Sequence, residues 1–363
     1  MSSDNKTTRK IKTYKDVGID IGKIKDVQKN IGKSISSTFK FLTIGKVLSG
    51  YGHYAGLIEI DGKILSIHTD GVGTKILVAQ QMEKFDTIGI DCMAMNINDI
   101  VCVGSKPLGY LSYVALQNTN DHLLKEITKG LVLAAKLSNV AIIGGETAIL
   151  PDIITGKKEK YNFDLAGMIL GIVDDKRKLI LGNKIKSGDV IIGINSSGLH
   201  SNGYTLARKI LLDAHDLDEK PEHLQMSVGE ELLRPTTIYS KTILNLIQVF
   251  DGKIHGLAHI TGGSFTKLGR LNSKFNYVLD DMPPIEGIFK QIMEDGGISI
   301  AEMYKTFNMG IGFCVIAPKQ EASRIIDAIT KDNLKARIVG KVKPQGKGIS
   351  FLKHDGKLVK LLN

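Results

Sequence analysis

The sequence predicts an α/β (α+β) chain of two domains. Strands, polar turns with glycine and helices follow one another in both halves of the chain. Its 363 residues are enough for two hydrophobic cores, and its 42% hydrophobic and 24% charged content is typical of globular proteins. The stretches 174–178 and 182–188 are charged and rich in turn residues, so we place the boundary there. We therefore predict a disordered basic tail over residues 1–12, a first domain over 13–173 and a second domain over 174–363.

In the first domain, hydrophobic periodicity predicts each element in turn. It indicates helices over 24–34, 86–104 and 121–138, and strands over 57–60, 63–68, 107–117, 140–143 and 163–173. Asp61-Gly62 predicts a tight hairpin between the first two strands. The run 140–143 is continuously apolar, which predicts a buried strand that ends in a turn at Gly144-Gly145.

The second domain shows the same succession of signals. They predict strands over 189–194 and 254–260, a strand that ends at Ala317, and a strand over 336–342. Helices are predicted over 204–213, 235–250 and 320–330, with a loop over 216–226. The two halves share this order of elements without a detectable sequence repeat.

The turn after strand 63–68 carries the first candidate binding residues: Asp70, Gly71, Gly73, Thr74 and Lys75. Glycines let a ligand approach the backbone, and the free N–H groups at the start of a helix favour phosphate. The P-loop spacing is absent. A strand-to-helix turn with a surface lysine is the alternative. The helix that follows favours the binding interpretation.

That helix, 86–104, combines an apolar face with acids and amides. At 3.6 residues per turn, Asp91 and Asn98 share nearly one azimuth and Asp99 lies about 100° further round. Because buried unpaired carboxylates are costly, a cation or a metal-bound phosphate would account for them. Magnesium binds carboxylates together with phosphate oxygens, so Asp70 and Asp99 are its candidate ligands. A solvated polar stripe is the alternative.

Three further glycine turns carry polar side chains. Glu146 and Thr147 follow Gly144-Gly145, and Glu146 is either a third metal carboxylate or a helix cap. In the second domain, His200 is a candidate acid/base or phosphate donor, although a lone histidine is more often structural. The other candidates there are Ser201, Asn202, His259, Thr261, Gly262 and Gly263.

Composition excludes some classes of function. The net charge of +10 suits anionic small substrates as well as nucleic acid, but the lysines are dispersed, aromatic residues make up 6% and tryptophan is absent. Nucleic-acid binding is therefore the weaker interpretation. The three cysteines are not spaced like metal ligands, so we predict that they are core thiols in a reducing cytoplasm. They are Cys92, Cys102 and Cys314. We predict neither a signal peptide nor a membrane-spanning segment.

Seven motifs together resemble the phosphoribosylformylglycinamidine cyclo-ligase (aminoimidazole ribonucleotide synthetase) family. They are YKDVGID at 14–20, DGVGTK at 70–75, GIDCMAMNIND at 89–99, GGETA at 144–148, SSGLHSNG at 196–203, GLAHITGG at 256–263 and FNMGIG at 307–312. Their order and spacing extend over residues 14–312. Asp70, Asp99 and Gly144-Gly145 are shared with a wider ATP-dependent superfamily, whereas the first and the last two motifs are specific.

The resemblance implies an ATP- and Mg²⁺-dependent cytoplasmic ligase of purine biosynthesis that closes the imidazole ring of formylglycinamidine ribonucleotide. It implies a homodimer, with amino-terminal strands forming a barrel and no nucleic-acid or membrane partner. The implied metal ligands are Asp70, Asp99 and Glu146, and the implied catalytic residues are Asp99, His200 and Lys75. The implied ATP-binding residues are Lys15, Asp70, Gly71, Gly73, Thr74, Lys75, Asn98, Gly144, Gly145 and Thr147. The implied substrate-binding residues are Ser201, Asn202, His259, Thr261, Gly262 and Gly263.

The sequence departs from the family pattern at four places: Ile149-Leu-Pro151, Ser264 after Gly263, the loop Gly52-His-Tyr-Ala-Gly56 and Arg234-Pro-Thr-Thr237. Sister enzymes are the close alternatives. Selenophosphate synthetase needs a reactive cysteine near its amino terminus, whereas the first cysteine here is Cys92 inside the helix. Thiamine-phosphate kinase lacks the last two motifs, and the formylglycinamidine synthetase subunit is a third rival. A non-catalytic ATP-sensing or nucleic-acid-binding protein, supported by the charge alone, belongs to a different class.

Overall fold

The protein is described by a computed structural model that covers residues 11–361. The predicted tail, residues 1–12, lies outside the described residues except for its last two. Two mixed sheets flanked by helices make up the described chain, as the sequence predicts. The strands of the first sheet end at Val173 and those of the second begin at Val190. The domain boundary after residue 173 stays a prediction, and the two sheets lie on either side of it.

The first sheet has six strands in the order β1-β2-β3-β6-β4-β5. Their bounds are β1 Lys46–Val47, β2 Gly56–Ile60, β3 Lys63–Gly71, β4 Lys106–Leu116, β5 Ala141–Ile149 and β6 Phe163–Val173. Strands β4 and β5 are parallel, and the other neighbours are antiparallel. Asp61 (φ 49°) and Gly62 (φ 77°) have the positive φ angles that a tight hairpin between β2 and β3 requires, which confirms the predicted turn.

The second sheet has seven strands in the order β13-β12-β9-β11-β7-β10-β8. Their bounds are β7 Val190–Asn195, β8 Gly256–His259, β9 Asn276–Leu279, β10 Ile311–Ala317, β11 Ala336–Lys343, β12 Ser350–His354 and β13 Lys357–Leu361. Its central strands are apolar along their length because helices and the first domain cover the sheet.

Helices cover the sheets. Their bounds are α1 Ile21–Ser36, α2 Ile76–Met82, α3 Asp86–Val101, α4 Asp121–Ser138, α5 Tyr204–Ala214, α6 Val228–Leu232, α7 Ser240–Val249, α8 Leu268–Leu271, α9 Gly287–Gly296, α10 Ile300–Thr306 and α11 Ala322–Thr330. Helix α3 lies under the first sheet and is buried over most of its length. It packs closely on α4 because both helices have glycine at the crossing: a Cβ on Gly89 would lie 2.3 Å from the carbonyl oxygen of Ile127. Within residues 11–361, every helix is too short or too polar to cross a lipid bilayer.

The strand predicted over residues 140–143 is present, but its predicted burial and the predicted turn at Gly144-Gly145 are wrong. Instead of a buried strand that ends in a glycine turn, β5 runs without interruption through Gly144 and Gly145, and it is the exposed edge of its sheet. The apolar run Val140–Ile143 suggested burial because periodicity alone does not show where a strand lies in a sheet. Glu146 and Thr147 therefore lie within an edge strand, and the helix-cap alternative is excluded.

The predicted helix 235–250 begins five residues late, at Ser240. Residues 235–239 are instead a non-helical segment bound to α3, and tertiary hydrogen bonds decide its conformation. Short α6 and the elements β9, α9, α10, β12 and β13 were not predicted. Helix 121–138 and strand 163–173 have the predicted bounds.

Candidate active site

A cleft of about 810 Å³ opens between the two halves of the chain. Its walls are the loop 49–56, the end of β3 and, from the second domain, Lys267, Arg270 and Leu271. Of the residues predicted from the sequence, Asp99 lines this cleft. The cleft is therefore the place where a ligand would meet the predicted acidic residues.

Asp99 lies near the end of α3 and is held by a network that joins the domains. His259 donates its Nδ1–H to Asp99 Oδ1 at 2.7 Å, and Asn98 Nδ2 lies 3.4 Å from His259 Nε2. Burial lowers the pKa of His259 against the opposing effect of Asp99, so the ring is neutral and its proton is on Nδ1. His68 Nε2 lies 3.6 Å from the other oxygen of Asp99. The carboxylate is thus fixed in orientation between two imidazoles.

The charge of Asp99 affects the titration of Asp70. Burial and the neighbouring Asp99 charge raise the pKa of Asp70. Burial acts in the same direction on Asp99, but the hydrogen bond from His259 and the nearby Lys267 ammonium outweigh it and lower the pKa of Asp99. The Asp99 charge is thus one cause that disfavours ionisation of Asp70, and a nearby cation would oppose it.

Lys75 is fully buried, which differs from a surface lysine at a turn. Its Nζ lies 2.7 Å from Asp91 Oδ2, and it donates to the backbone oxygens of Arg234 at 2.6 Å and His200 at 3.3 Å. Asp91 Oδ1 accepts hydrogen bonds from both the N–H and the hydroxyl of Thr236. The Lys75–Asp91 ion pair therefore connects α3 to the segment before α7. The prediction that Lys75 meets ATP phosphates stays a prediction, and it requires this ion pair to open.

Asn98 has a similar tertiary role. Its side-chain amide donates to the backbone oxygen of Thr237 at 2.8 Å and accepts from the N–H of Tyr239 at 2.9 Å. The azimuth shared by Asp91 and Asn98, which suggested a ligand, is explained by binding to the second domain. ATP binding by Asn98 stays a prediction.

His200 is buried and has a positive φ of 64°. Burial lowers the pKa of His200 well below its usual value, aided by His259 and Lys75. Its Nε2 accepts the N–H of Ser197 at 3.3 Å, so the ring proton lies on Nδ1, which has no partner among residues 11–361. The neutral ring of His200 can therefore donate a hydrogen bond from Nδ1. Its catalytic role stays a prediction.

The turns of the second domain that carry predicted substrate residues lie together. The hydroxyl of Ser201 is 3.0 Å from that of Thr236, and a Cβ on Gly262 would lie 3.1 Å from Asn202 Oδ1. Gly263 has a φ of 80°, a conformation that favours glycine. The following residue, Ser264, takes a positive φ of 43°, and its hydroxyl bonds the backbone oxygen of Phe307 at 2.5 Å. That bond anchors the residue at which the turn departs from the family pattern.

The predicted phosphate-binding residues of the first domain are more dispersed. Lys15 is exposed and pairs with Asp20 at 2.8 Å. The N–H of Gly71 donates to Asp70 Oδ1, and the Thr74 hydroxyl lies 3.0 Å from that of Thr205. Gly73 opens the short 3₁₀ turn before α2 with a φ of 73°. Asp70 itself lies in β3 rather than in the turn.

Glu146 is not brought together with Asp70 and Asp99 within one chain. The row Asp70, Gly167, Ser112, Gly145 crosses four strands, so Gly145 lies about 14 Å from Asp70 at the usual strand spacing. Among the described residues, no group of three or more His, Cys, Asp or Glu side chains is placed to hold a metal ion. Gly144, Gly145, Glu146 and Thr147 as ATP or metal contacts stay predictions.

Sequence reasoning missed several residues that line the cleft. These are His53, Tyr54, His68, Lys267 and Arg270. The glycine-rich loop 49–56 had been assigned as a connection only, and Lys267 lies four residues beyond Gly263 on a short helical turn. The available signal was the departure from the family pattern at His53 and Tyr54.

The sequence matches the family described as AIR synthase related protein, by its N-terminal domain over residues 52–173 and its C-terminal domain over residues 186–353. The chain is thus an AIR synthase related protein of two domains. A phosphoribosylformylglycinamidine cyclo-ligase of Methanocaldococcus jannaschii is 46% identical over 331 residues, covering 91% of this chain and 92% of the relative. That of Pyrococcus horikoshii is 46% identical over 321 residues, covering 88% and 92%. The chain belongs to the phosphoribosylformylglycinamidine cyclo-ligase family.

The fold is shared more widely. A solved structure of the hydrogenase maturation protein HypE in complex with ATP has a TM-score of 0.61 at 15% identity, covering 82% of this chain and 84% of that one. At this identity the likeness concerns the fold alone.

Proposed function

We propose that the chain catalyses the ATP-dependent ring closure of formylglycinamidine ribonucleotide to aminoimidazole ribonucleotide in purine biosynthesis. The observation that carries this proposal is the 46% identity over 331 residues to a cyclo-ligase. The order of the family motifs along residues 14–312 supports it. The protein would act in the cytoplasm, where its three buried thiols would remain reduced.

In the proposed reaction, the γ-phosphoryl group of ATP moves to the formyl oxygen of the substrate and ADP is released. The new O–P bond makes this oxygen a leaving group. The amidine-side nitrogen then forms a bond to the formyl carbon and loses a proton, while the C–O bond breaks and phosphate departs. The chain has to orient two anionic substrates and neutralise charge on the phosphoryl group in transit.

We place Mg²⁺ at Asp70 and Asp99. Asp99 lines the cleft, and burial together with the Asp99 charge raises the pKa of Asp70; a cation would offset both effects, which supports this assignment. When bound, Mg²⁺ would neutralise and orient the phosphate oxygens, which would also complete its coordination. His259 and His68 would hold the Asp99 carboxylate in place. From this chain, Glu146 lies too far away to share the same ion.

The test is ADP release from ATP and Mg²⁺, with and without formylglycinamidine ribonucleotide, with the product identified by mass. We expect ADP release that depends on this substrate and a product lighter by one water. ATP turnover that ignores the substrate would overturn the proposal and favour a sister kinase, to be sought with other phosphate-bearing acceptors.

We further propose that the chain is a homodimer that pairs through the first sheet. Within the described residues 11–361, the face of this sheet turned away from α3 is apolar and partly exposed; this open face comprises Leu65, Ile67, Leu111, Tyr113, Met168, Leu170 and Ile172. Ile67, Tyr113 and Met168 are 38%, 43% and 36% exposed. A contiguous apolar sheet face of this kind is typical of a protein interface. A second copy of the same face is the partner that the family resemblance implies.

Met168→Glu is expected to convert the dimer into a monomer, because it places a charge in the centre of the open face. Val249→Glu is the matched control, since Val249 is 58% exposed on α7 in the other domain. Size-exclusion chromatography with light scattering measures the mass of each variant, and circular dichroism verifies folding. A folded Met168→Glu protein that remains dimeric would exclude the open face as the interface.

A further inference from the structure

Lys267 is a buried cation in the wall of the cleft that the sequence analysis did not single out. It is 8% exposed and lies on the short 3₁₀ turn that precedes α8. Within residues 11–361, its Nζ bonds the hydroxyl of Thr261 and lies 5.7 Å above the centre of the Tyr54 ring. Neither partner carries a negative charge. A buried ammonium with three donors and a single hydroxyl partner is costly unless an anion completes its contacts.

The surroundings of Lys267 indicate which anion this is. Lys267 and Asp99 line the same cleft, and the charge of Lys267 acts to lower the pKa of both Asp99 and Asp70. Arg270 lies one turn further along and also lines the cleft. A cation next to two carboxylates is the arrangement that a metal-bound phosphate requires, since the carboxylates bind the metal and the cation binds a phosphate oxygen.

Two residues of the cleft wall also carry unpaired polar atoms. His53 Nδ1 and the Tyr54 hydroxyl are buried and have no hydrogen-bond partner among the described residues. Both residues line the cleft together with Lys267. Buried polar groups in native proteins are nearly always satisfied, so several of them around one cavity point to a polar ligand.

We propose that Lys267 binds the phosphoryl group that is transferred from ATP, with the Tyr54 ring and Thr261 holding its ammonium in place. This inference rests on the proposed function and deepens it. It gives Lys267 the role that sequence reasoning gave to Lys75, whose ammonium is already occupied by Asp91 and two backbone oxygens.

The test compares Lys267→Met, Lys267→Arg and the control Lys274→Met, which removes an exposed lysine of the same region. Steady-state kinetics give kcat and the KM for each substrate, and thermal unfolding gives stability. We expect Lys267→Met to lower kcat by about 10²-fold, the loss that follows removal of one preorganised charge contact. We expect Lys267→Arg to recover part of the loss. Lys274→Met should resemble wild type.

Stability separates this role from a structural one. Methionine in place of Lys267 removes a buried charge, so we expect the thermal midpoint of Lys267→Met to equal or exceed that of wild type. A variant that loses kcat while keeping its midpoint supports the proposal. Wild-type kcat, or a change confined to the KM for formylglycinamidine ribonucleotide, would overturn it.

The pH profile gives an independent readout. Burial lowers the pKa of Lys267, so its ammonium is lost at a lower pH than that of an exposed lysine. We expect wild-type kcat/KM, which reports the free enzyme, to fall as pH rises through this pKa, and Lys267→Arg to keep its activity at alkaline pH, because arginine stays charged. If wild type and Lys267→Arg lose activity over the same alkaline pH range, the proposal is contradicted. Absence of substrate-dependent ADP release from wild type would instead sink the proposed function.

Discussion

Asp99→Asn is expected to lower substrate-dependent ADP release by about 10²–10³-fold, the loss seen when one preorganised electrostatic contact is removed. The asparagine oxygen can still accept the Nδ1–H of His259, so the network between α3 and β8 keeps its shape. What is lost is the negative charge that would bind Mg²⁺ at the proposed site. Asp99 is suited to this test because its pKa is lowered and its charge is therefore present throughout the neutral pH range.

Two measurements accompany this result. Thermal unfolding of Asp99→Asn should show a folded protein, and the apparent affinity for Mg²⁺ should weaken relative to wild type. Asp174→Asn is the matched control, since Asp174 pairs with Lys106 at the surface and lies outside the cleft. Asp99→Asn with wild-type turnover and Mg²⁺ dependence would remove Asp99 from the metal site.

Lys75→Met is expected to destabilise the protein by about 3–5 kcal/mol, since removal of one partner leaves a buried charge uncompensated. Lys75 and Asp91 are both 0% exposed, and their pair lies 2.7 Å apart. Asp91 keeps its two bonds to Thr236 in this variant, but its charge no longer has a counter-ion. Denaturant unfolding of wild type and variant measures the difference.

The double variant Lys75→Met/Asp91→Asn provides the control. Asparagine can still accept from Thr236, and neither charge remains, so we expect most of the lost stability to return. Additive losses would show that the two side chains are not coupled. If Lys75→Met is as stable as wild type but loses its affinity for ATP, the ammonium binds phosphate as the sequence suggested, and the structural role is wrong.

Asp99→Asn and Lys75→Met test two separate roles of the polar residues on α3. Asp91 and Asn98 bind the segment before α7, whereas Asp99, one residue further round the helix, lines the cleft. Sequence analysis made all three candidate ligands because they are polar residues in an apolar helix. Only their tertiary partners distinguish the two residues that join the domains from the one that lines the cleft.

Local pattern determined much of this protein. The α/β (α+β) class, the hairpin at Asp61-Gly62, helix 121–138 and strand 163–173 follow from periodicity and turn chemistry, which act over a few residues. The motifs determined the family and placed Asp70 and Asp99 among the candidate ligands. A carboxylate can bind a cation wherever the chain places it, so residue type alone makes Asp70 and Asp99 candidate ligands.

Tertiary structure alone decided how the candidate residues are distributed. Strand order put Glu146 on an exposed edge strand, three strand spacings or about 14 Å from the strand that carries Asp70, and burial paired Lys75 with Asp91. Packing of the second domain brought Lys267, 168 residues later than Asp99, beside the carboxylate pair. Contacts at such separation depend on the order of strands and on the packing of two domains, which no local pattern records.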